Sequence, residues 1–589
     1  MESKFTEEKE EEKEEEKEEE RRVSLCGLSL ARKHLLMVSV ATGLLFLLLI
    51  IVITSVVTTS GASKPLPSFS TGGDMLDFLV QTGDIIRADG LLATWYHRAN
   101  SKSEMNKALA SDVMILEADV NLEGFGTTNQ KPVPIMAHPP DVYSDNTLDQ
   151  WLDAVLSTSK GIKLDFKSLQ SVGPSLDVLS RRNQSRAIGR PVWINADVLI
   201  GPNVPAYFPV VNGSRFLQLV HDKFPDVTVS TGWKVGYAPP MFAKTYTRAM
   251  VEEMYALVKD LRQKVTFPVH ALLVHNGWQH ISWLLSKLPS ASLTLWQGAV
   301  HPELNHLLFV RDNSHRSRVF YDLQEPTMSA LRLAAAVRGR LRRFYPGGDL
   351  LDYFYPATNA DRDPLAVDWF TVSDRASLLD LLSGEGEGML VVGVGSGPGG
   401  VPLVEGSGRN GTEALSLQEL LALLPGARSS WGLYIRAQSL EVLEAALKLL
   451  STTYSQDQLY RPVWVGTELL HDTPTQQAAI LSGEVVSRVE GLFPHVTLVL
   501  RLKSWPPQVP SPAGGWGSLR TVVSLDASVL PRHEELTGVW ASRERPDLLV
   551  EDERRGGDRG RSREVLATLQ KSTHTRVYYL TNQQTGCCD

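Results

Sequence analysis

The chain has 589 residues, 43% of them hydrophobic and 21% charged, with a formal net charge of −8. That length exceeds one core, since single domains hold ~100–200 residues and barrels ~250. The acidic balance, with no basic patch, argues against nucleic acid as a partner.

In chain order, residues 7–20 are an uninterrupted Glu/Lys run, and residues 1–33 hold twelve Glu against eight Lys/Arg. With no apolar face to bury, 1–34 reads as a solvated acidic tail. Leu35–Val57 follows, 23 residues without a charge. About 20 apolar residues span a bilayer, so 35–57 is expected to be a transmembrane signal-anchor helix held by the lipid bilayer. It is too long and too far from the N-terminus for a cleaved signal peptide. Arg21, Arg22, Arg32 and Lys33 precede it, against Lys64 alone just after. The positive-inside bias places the tail in the cytoplasm and the bulk outside, a single-pass type II arrangement. Sequons at Asn183, Asn212 and Asn410 agree with a glycosylated exterior. The only cysteines are Cys26, Cys587 and Cys588, so the exterior portion is expected to rely on large cores rather than internal disulfides.

Beyond a linker at 58–74 the chain repeats itself. Gly161–Leu169 (G-I-K-L-D-F-K-S-L) matches Gly432–Leu440 (G-L-Y-I-R-A-Q-S-L), and Arg190–Trp193 (R-P-V-W) matches Arg461–Trp464, both at an offset of 271. Strand patterns are expected at 93–98, 114–120, 134–137, 162–167, 192–198, 227–231, 271–275, 293–296 and 318–322. Helical patterns alternate with them, for example at 103–109, 148–156, 246–261 and 281–288. Strand–helix alternation over ~250 residues implies a parallel sheet closed as a (β/α)8 barrel, with one of nine strands accessory. The fold class is therefore α/β: two tandem TIM-type barrels, at 75–335 and 345–585, after the anchor. The stretch 550–563 reads as a charged loop of the second copy.

In the first copy Ile162–Lys167 alternates, placing Lys163, Asp165 and Lys167 on one face. Alone, such a strand reads as half-solvated. Inside a barrel that face points to the lumen, and charges there belong at the C-terminal mouth, where barrel active sites lie. Glu117 and Asp119 add two carboxylates at i and i+2. Together with Asp165 they make an oxygen-rich set suited to Mg²⁺ or Ca²⁺. His97 and His138 end neighbouring strands, and Arg98, Lys163, Asn195, Trp233 and Trp296 complete the expected pocket. Matching the copies sets Phe370 at His97, Val392 at Glu117, Val394 at Asp119, Gly406 at His138, Arg436 at Asp165 and Gln438 at Lys167. Every candidate is replaced while the apolar frame persists, so the second copy reads as a degenerate barrel.

With these residues the chain resembles the menorin family (family with sequence similarity 151), in particular its membrane-anchored two-domain kind. It is more distantly similar to glycerophosphodiester phosphodiesterases and spider-venom phospholipase D. Those enzymes share a histidine ending the first strand, E-x-D on the second, a further histidine, then acidic and lysine residues on a later strand. Here the pattern falls on His97, Glu117/Asp119, His138, Asp165 and Lys167. The chain departs from it at His97-Arg98-Ala99, where the enzymes read H-R-G, and at His138-Pro139, where they read H-D. The resemblance implies a metal-dependent phosphodiesterase-like barrel acting on lyso- or glycerophosphodiesters. In it His97 and His138 serve as nucleophile or base and as acid, and Lys167 stabilises developing charge. The alternative it implies is an extracellular binding ligand, a pseudoenzyme that recognises a partner protein or lipid headgroup.

Overall fold

A computed structural model describes residues 69–581 apart from 238–243, 338–341, 357–362, 409–412, 428, 468–474, 503–518, 531–545, 553–558 and 574–575. The acidic tail, the uncharged run 35–57, Asn410 and the three cysteines lie outside the described residues. Among the described residues, no helix is long and apolar enough to cross a membrane.

The first copy forms β1 (Trp95–Tyr96), β2 (Ile115–Leu122), β3 (Pro134–Met136), β4 (Gly161–Phe166), β5 (Val192–Ile200), β6 (Thr228–Lys234), β7 (Val265–His270), β8 (Ser292–Trp296) and β9 (Val319–Asp322). Neighbours on the path β1-β2-β4-β5-β6-β7-β8-β9 are all parallel, and β3 runs antiparallel to β2 off that path as the accessory strand. Parallel neighbours need a long crossover, supplied here mostly by helices. The helices start where polar side chains cap them: Ser101 accepts from Glu104 N, Asn212 from Arg215 N, and Thr147 forms a capping box with Gln150.

The second copy repeats this with β10 (Trp369–Val372), β11 (Gly388–Ser396), β12 (Pro402–Val404), β13 (Trp431–Ala437), β14 (Val463–Thr467), β15 (Thr497–Leu502), β16 (Arg520–Asp526), β17 (Asp547–Asp552) and β18 (Val577–Thr581). Its path is β10-β11-β13-β14-β15-β16-β17-β18, with β12 antiparallel to β11. The molecule is thus two nearly closed parallel barrels with interleaved helices.

Two expected elements are corrected. The seventh strand is Val265–His270 rather than 271–275, whose residues turn back on His270 O through the amides of Leu273 and Val274. Pro268 lacks the ladder donor a strand normally offers and so disguises the true strand, while the apolar Ala271–Val274 run is buried within a turn. The stretch 550–563 is not one loop: 550–552 ends β17 and a helix starts at Arg559.

A short helix plugs the base of each barrel. Helix Met75–Thr82 is capped by Asp74, which accepts from Leu76 N and Asp77 N. Its Met75, Leu76, Phe78 and Leu79 cluster with Ile115, Trp193 and Phe320 from the starts of three strands. The motif G-G-D-M-L at 72–76 recurs as G-G-D-L-L at 347–351, where Asp349 caps helix Leu350–Phe354. The entering chain is held alike in both copies: Val192 N donates to Thr71 O and Val463 N to Pro346 O, each at 2.8 Å. The two barrels meet through Arg248–Glu490 (3.7 Å) and through Tyr345 at the start of the second copy, which packs into the core of the first.

Strand register also corrects the match between copies. Trp95 pairs with Ile115 and Ile115 with Gly161, as Trp369 pairs with Met389 and Met389 with Gly432. The counterparts of His97, Glu117 and Asp119 are therefore Thr371, Val391 and Gly393, one residue away from Phe370, Val392 and Val394. Gly406, Arg436 and Gln438 keep their places opposite His138, Asp165 and Lys167. The slip arose because β11 is apolar on both faces, so its sequence carries no alternation to set the phase. In the corrected register each of these site residues is still replaced in the second copy.

Candidate active site

The C-terminal ends of the parallel strands meet at the mouth of the first barrel. Glu117 and Asp119 share one face of β2 and are 1% and 2% exposed. Asp165 on β4 lies in register with Asp119, and one oxygen from each of the three carboxylates lies within 4.8 Å of the others. Buried charges need partners. Lys167 Nζ sits 2.9 Å from Asp119 Oδ1 and 2.5 Å from Asp165 Oδ2. Asn195 Nδ2 donates to Asp165 Oδ1 at 2.6 Å, and Ser230 Oγ in turn donates to Asn195 Oδ1. Burial alone would raise the Asp165 pKa, but Lys167 and Lys163 outweigh it and hold it at about 2. Glu117 is pushed up, chiefly by burial.

His97, just past β1, joins the two ends of the sheet. Its Nδ1 lies 2.8 Å from Asp322 Oδ2 on β9 and 3.5 Å from Glu117 Oε2. Burial works against its charged form, yet Glu117 and Asp322 prevail and push its pKa up to about 9. The next residue, Arg98, takes the left-handed conformation (φ 62°), which lets its amide donate to Glu117 Oε2 at 2.8 Å. Strain of this kind gathers at functional sites. The departure from H-R-G is thereby explained: the left-handed position is Arg98, while Ala99 is fully buried and its carbonyl accepts from Trp151 Nε1 at 2.9 Å. The Arg98 Nε lies 3.6 Å from Asp119.

His138 stands apart from this network. It lies beyond β3 with Nδ1 2.6 Å from Pro139 O, and its backbone neighbour Ala137 donates to Asp119 O. Lys163 is buried lower in the lumen, 5.8 Å from the Trp95 ring centre. Trp296 ends β8 beside Asp322 and meets His270 edge-on at 4.6 Å. Trp233 is corrected from pocket to core: it is 1% exposed and packs on Tyr246 and Phe267. The lumen face of β6 belongs to Ser230 and Gly232, one step out of phase with it.

Four further residues belong to the site. Asn100 grips Asp119 twice, donating through Nδ2 to Oδ2 and accepting from the Asp119 amide, both at 2.8 Å. Asp322 holds His97. Asp197, two residues after Asn195, is pushed up to about 7 by burial and by the charge of Asp165. His270 is held neutral by burial, its pKa lowered to about 4, and stacks on Tyr237. Asp322 and His270 end strands, and that position was the available signal. Asn100 gave none, because a lone Asn after a strand reads as an ordinary turn.

Three carboxylates, Asp119 and Asp165 held by asparagine amides and Glu117 by the Arg98 backbone amide, offer only oxygen and fit a hard divalent cation such as Mg²⁺ or Ca²⁺. A cleft lined by Trp278, Tyr345, Asp349 and Arg520 lies elsewhere, against the base of the second barrel, and contains none of these groups.

Among the described residues, the second barrel has no such mouth. Its lumen is filled by Met389, Val391, Tyr434, Trp464, Val499, Leu549 and Leu580. In place of Asp165 stands Arg436, 2.5 Å from the fully buried Glu551, which also accepts from Ser524 and lies 3.7 Å from Arg501.

The sequence profile described as the Menorin N-terminal domain matches residues 89–328 and 367–514. The chain is also similar to protein FAM151B of Homo sapiens, 42% identical over 269 residues that make up 46% of this chain and 95% of that relative. That length is close to a single barrel. Two matched regions covering more than half of the chain, one on each barrel, make the chain a member of the menorin family with two regions of its N-terminal domain.

Proposed function

We propose that the first barrel is a metal-dependent phosphodiesterase of lyso- or glycerophosphodiesters, borne outside the cell on the 35–57 anchor. The observation that carries it is the linked set His97, Glu117, Asp119, Asp165, Lys167 and Asp322 at one barrel mouth, replaced throughout in the other. A divalent cation held by Glu117, Asp119 and Asp165 would supply Lewis-acid polarisation of the phosphoryl group. Asp322 engages His97 Nδ1 and favours its charged form, which leaves Nε2 to give a proton to the departing alkoxide oxygen. His138 is then left, in the reverse of the order expected from the resemblance, to act as nucleophile or as base toward the attacking hydroxyl. Lys167 offers its ammonium to the charge that builds on the phosphoryl oxygens.

A second reading has one observation in its favour. His138 rests on Pro139 O rather than on an acidic partner, and no ion pair ties it to the cluster. A barrel that binds a lipid headgroup or a partner protein without turnover would tolerate that arrangement. Intact cells expressing the full chain separate the two readings. Hydrolysis of lysophospholipid or glycerophosphodiester added to the medium with Mg²⁺, lost in His97→Ala, supports the enzyme. Glycosidase-sensitive mobility of the same protein reports the exterior orientation. Turnover that persists in His97→Ala would sink the catalytic assignment, and metal binding without any product would favour the binding module.

A further inference from the structure

Lys167 lies where a divalent cation would have to act. Its Nζ touches Asp119 at 2.9 Å and Asp165 at 2.5 Å, two of the three carboxylates that converge at the mouth. The surrounding charge is already nearly balanced. Glu117, Asp119, Asp165, Asp197 and Asp322 face Lys163, Lys167, Arg98 and His97, and the Arg98 amide, Asn100, Asn195, His97, Arg98 and Lys167 are each held at a specific oxygen. A dication entering this set meets an ammonium already paired with two of its oxygens, and like charges repel strongly where water is scarce. The second barrel carries the same solution in permanent form, with Arg436 at the place of Asp165 and paired to Glu551.

We infer that Lys167 is a built-in counter-cation that competes with the divalent metal: metal entry drives its ammonium off Asp119 and Asp165 toward the open mouth, where it meets the substrate's phosphoryl oxygens. This rests on the metal-site reading above. Lysine suits the role because a flexible four-carbon stem carries a compact charge that can swing without leaving the site. At 19% exposure the side chain already borders solvent.

The full chain in detergent tests this with Mn²⁺ as the probe, titrated by calorimetry against wild type, Lys167→Met and Asp165→Asn. Lys167→Met should tighten Mn²⁺ binding by about tenfold or more, and Asp165→Asn should weaken it by a similar factor. A second measurement needs no variant. Amine acetylation of the wild type, followed by mass spectrometry, should speed up at Lys167 when Mn²⁺ is added and stay constant at Lys160, whose Nζ donates to the carbonyls of Ser111 and Val113. Equal or weaker binding in Lys167→Met, or metal-independent labelling, overturns the competition while leaving the metal site intact. Absence of Mn²⁺ binding in both wild type and Lys167→Met overturns the metal reading itself.

Discussion

His97 shows how the site is built residue by residue. Its imidazole sits between Glu117 and Asp322, which hold it charged well above the ordinary histidine range. Asp322→Asn keeps the shape and removes one of the two charges. The His97 pKa, followed by NMR with metal chelated, should fall from about 9 toward the ordinary value near 6.5. A raised folded-state pKa contributes stability that is complete below the unfolded value and is lost as pH rises through the folded one. The destabilisation by Asp322→Asn should therefore be largest near pH 6 and fade by about pH 10. An unchanged His97 titration in the variant would remove Asp322 from its assigned role. At this scale the sequence was legible where residues repeat with the pleat. Glu117/Asp119 and Lys163/Asp165/Lys167 declared themselves by two-residue spacing. Asn100, Asp197, Asp322 and His270 stand singly among ordinary neighbours, and only the closed barrel brings them to one mouth. Trp233 misled for the opposite reason: a large aromatic at a strand end suggests a pocket, whereas the strand's phase sends it outward into the core.

Among the elements, helix Leu148–Val155 does more than cover the sheet. Its Trp151 is fully buried and donates to the carbonyl of Ala99, bracing the turn from which His97, Arg98 and Asn100 reach the carboxylates. Trp151→Phe keeps most of the apolar volume and leaves that carbonyl without its donor. The expected cost is about 1–2 kcal/mol in urea unfolding, together with weaker metal binding because the Arg98 amide and Asn100 lose their support. A stability loss with no change in metal affinity would mean that the turn holds its shape without the tryptophan. Element positions were mostly readable from hydrophobic alternation, including the expectation of one accessory strand. Two exceptions have physical causes. Pro268 hides β7, and the two-sided apolar β11 gave no phase by which to match it to β2. Nor did the paired G-G-D plugs stand out, because their meaning depends on the barrel base that they close.

At the scale of the whole molecule, duplication explains why one frame carries two different mouths. The apolar shells between strands and helices persist in both copies, as do the plug helices and the accessory strands. What differs is the lumen near the C-terminal ends, charged and hydrogen-bonded in the first barrel, aromatic and aliphatic below a Glu551–arginine group in the second. Frame and site thus diverge independently, as expected when function resides in side chains set on a common barrel. A hard divalent cation should bind at Glu117, Asp119 and Asp165 and not beside Arg436 and Glu551 of the second barrel. Anomalous diffraction from crystals of the protein soaked in Mn²⁺ tests it most directly. A peak coordinated by those three carboxylates is expected, with Lys167 displaced, and none beside Arg436 and Glu551. No peak at the first mouth, or a peak at the second, would contradict it.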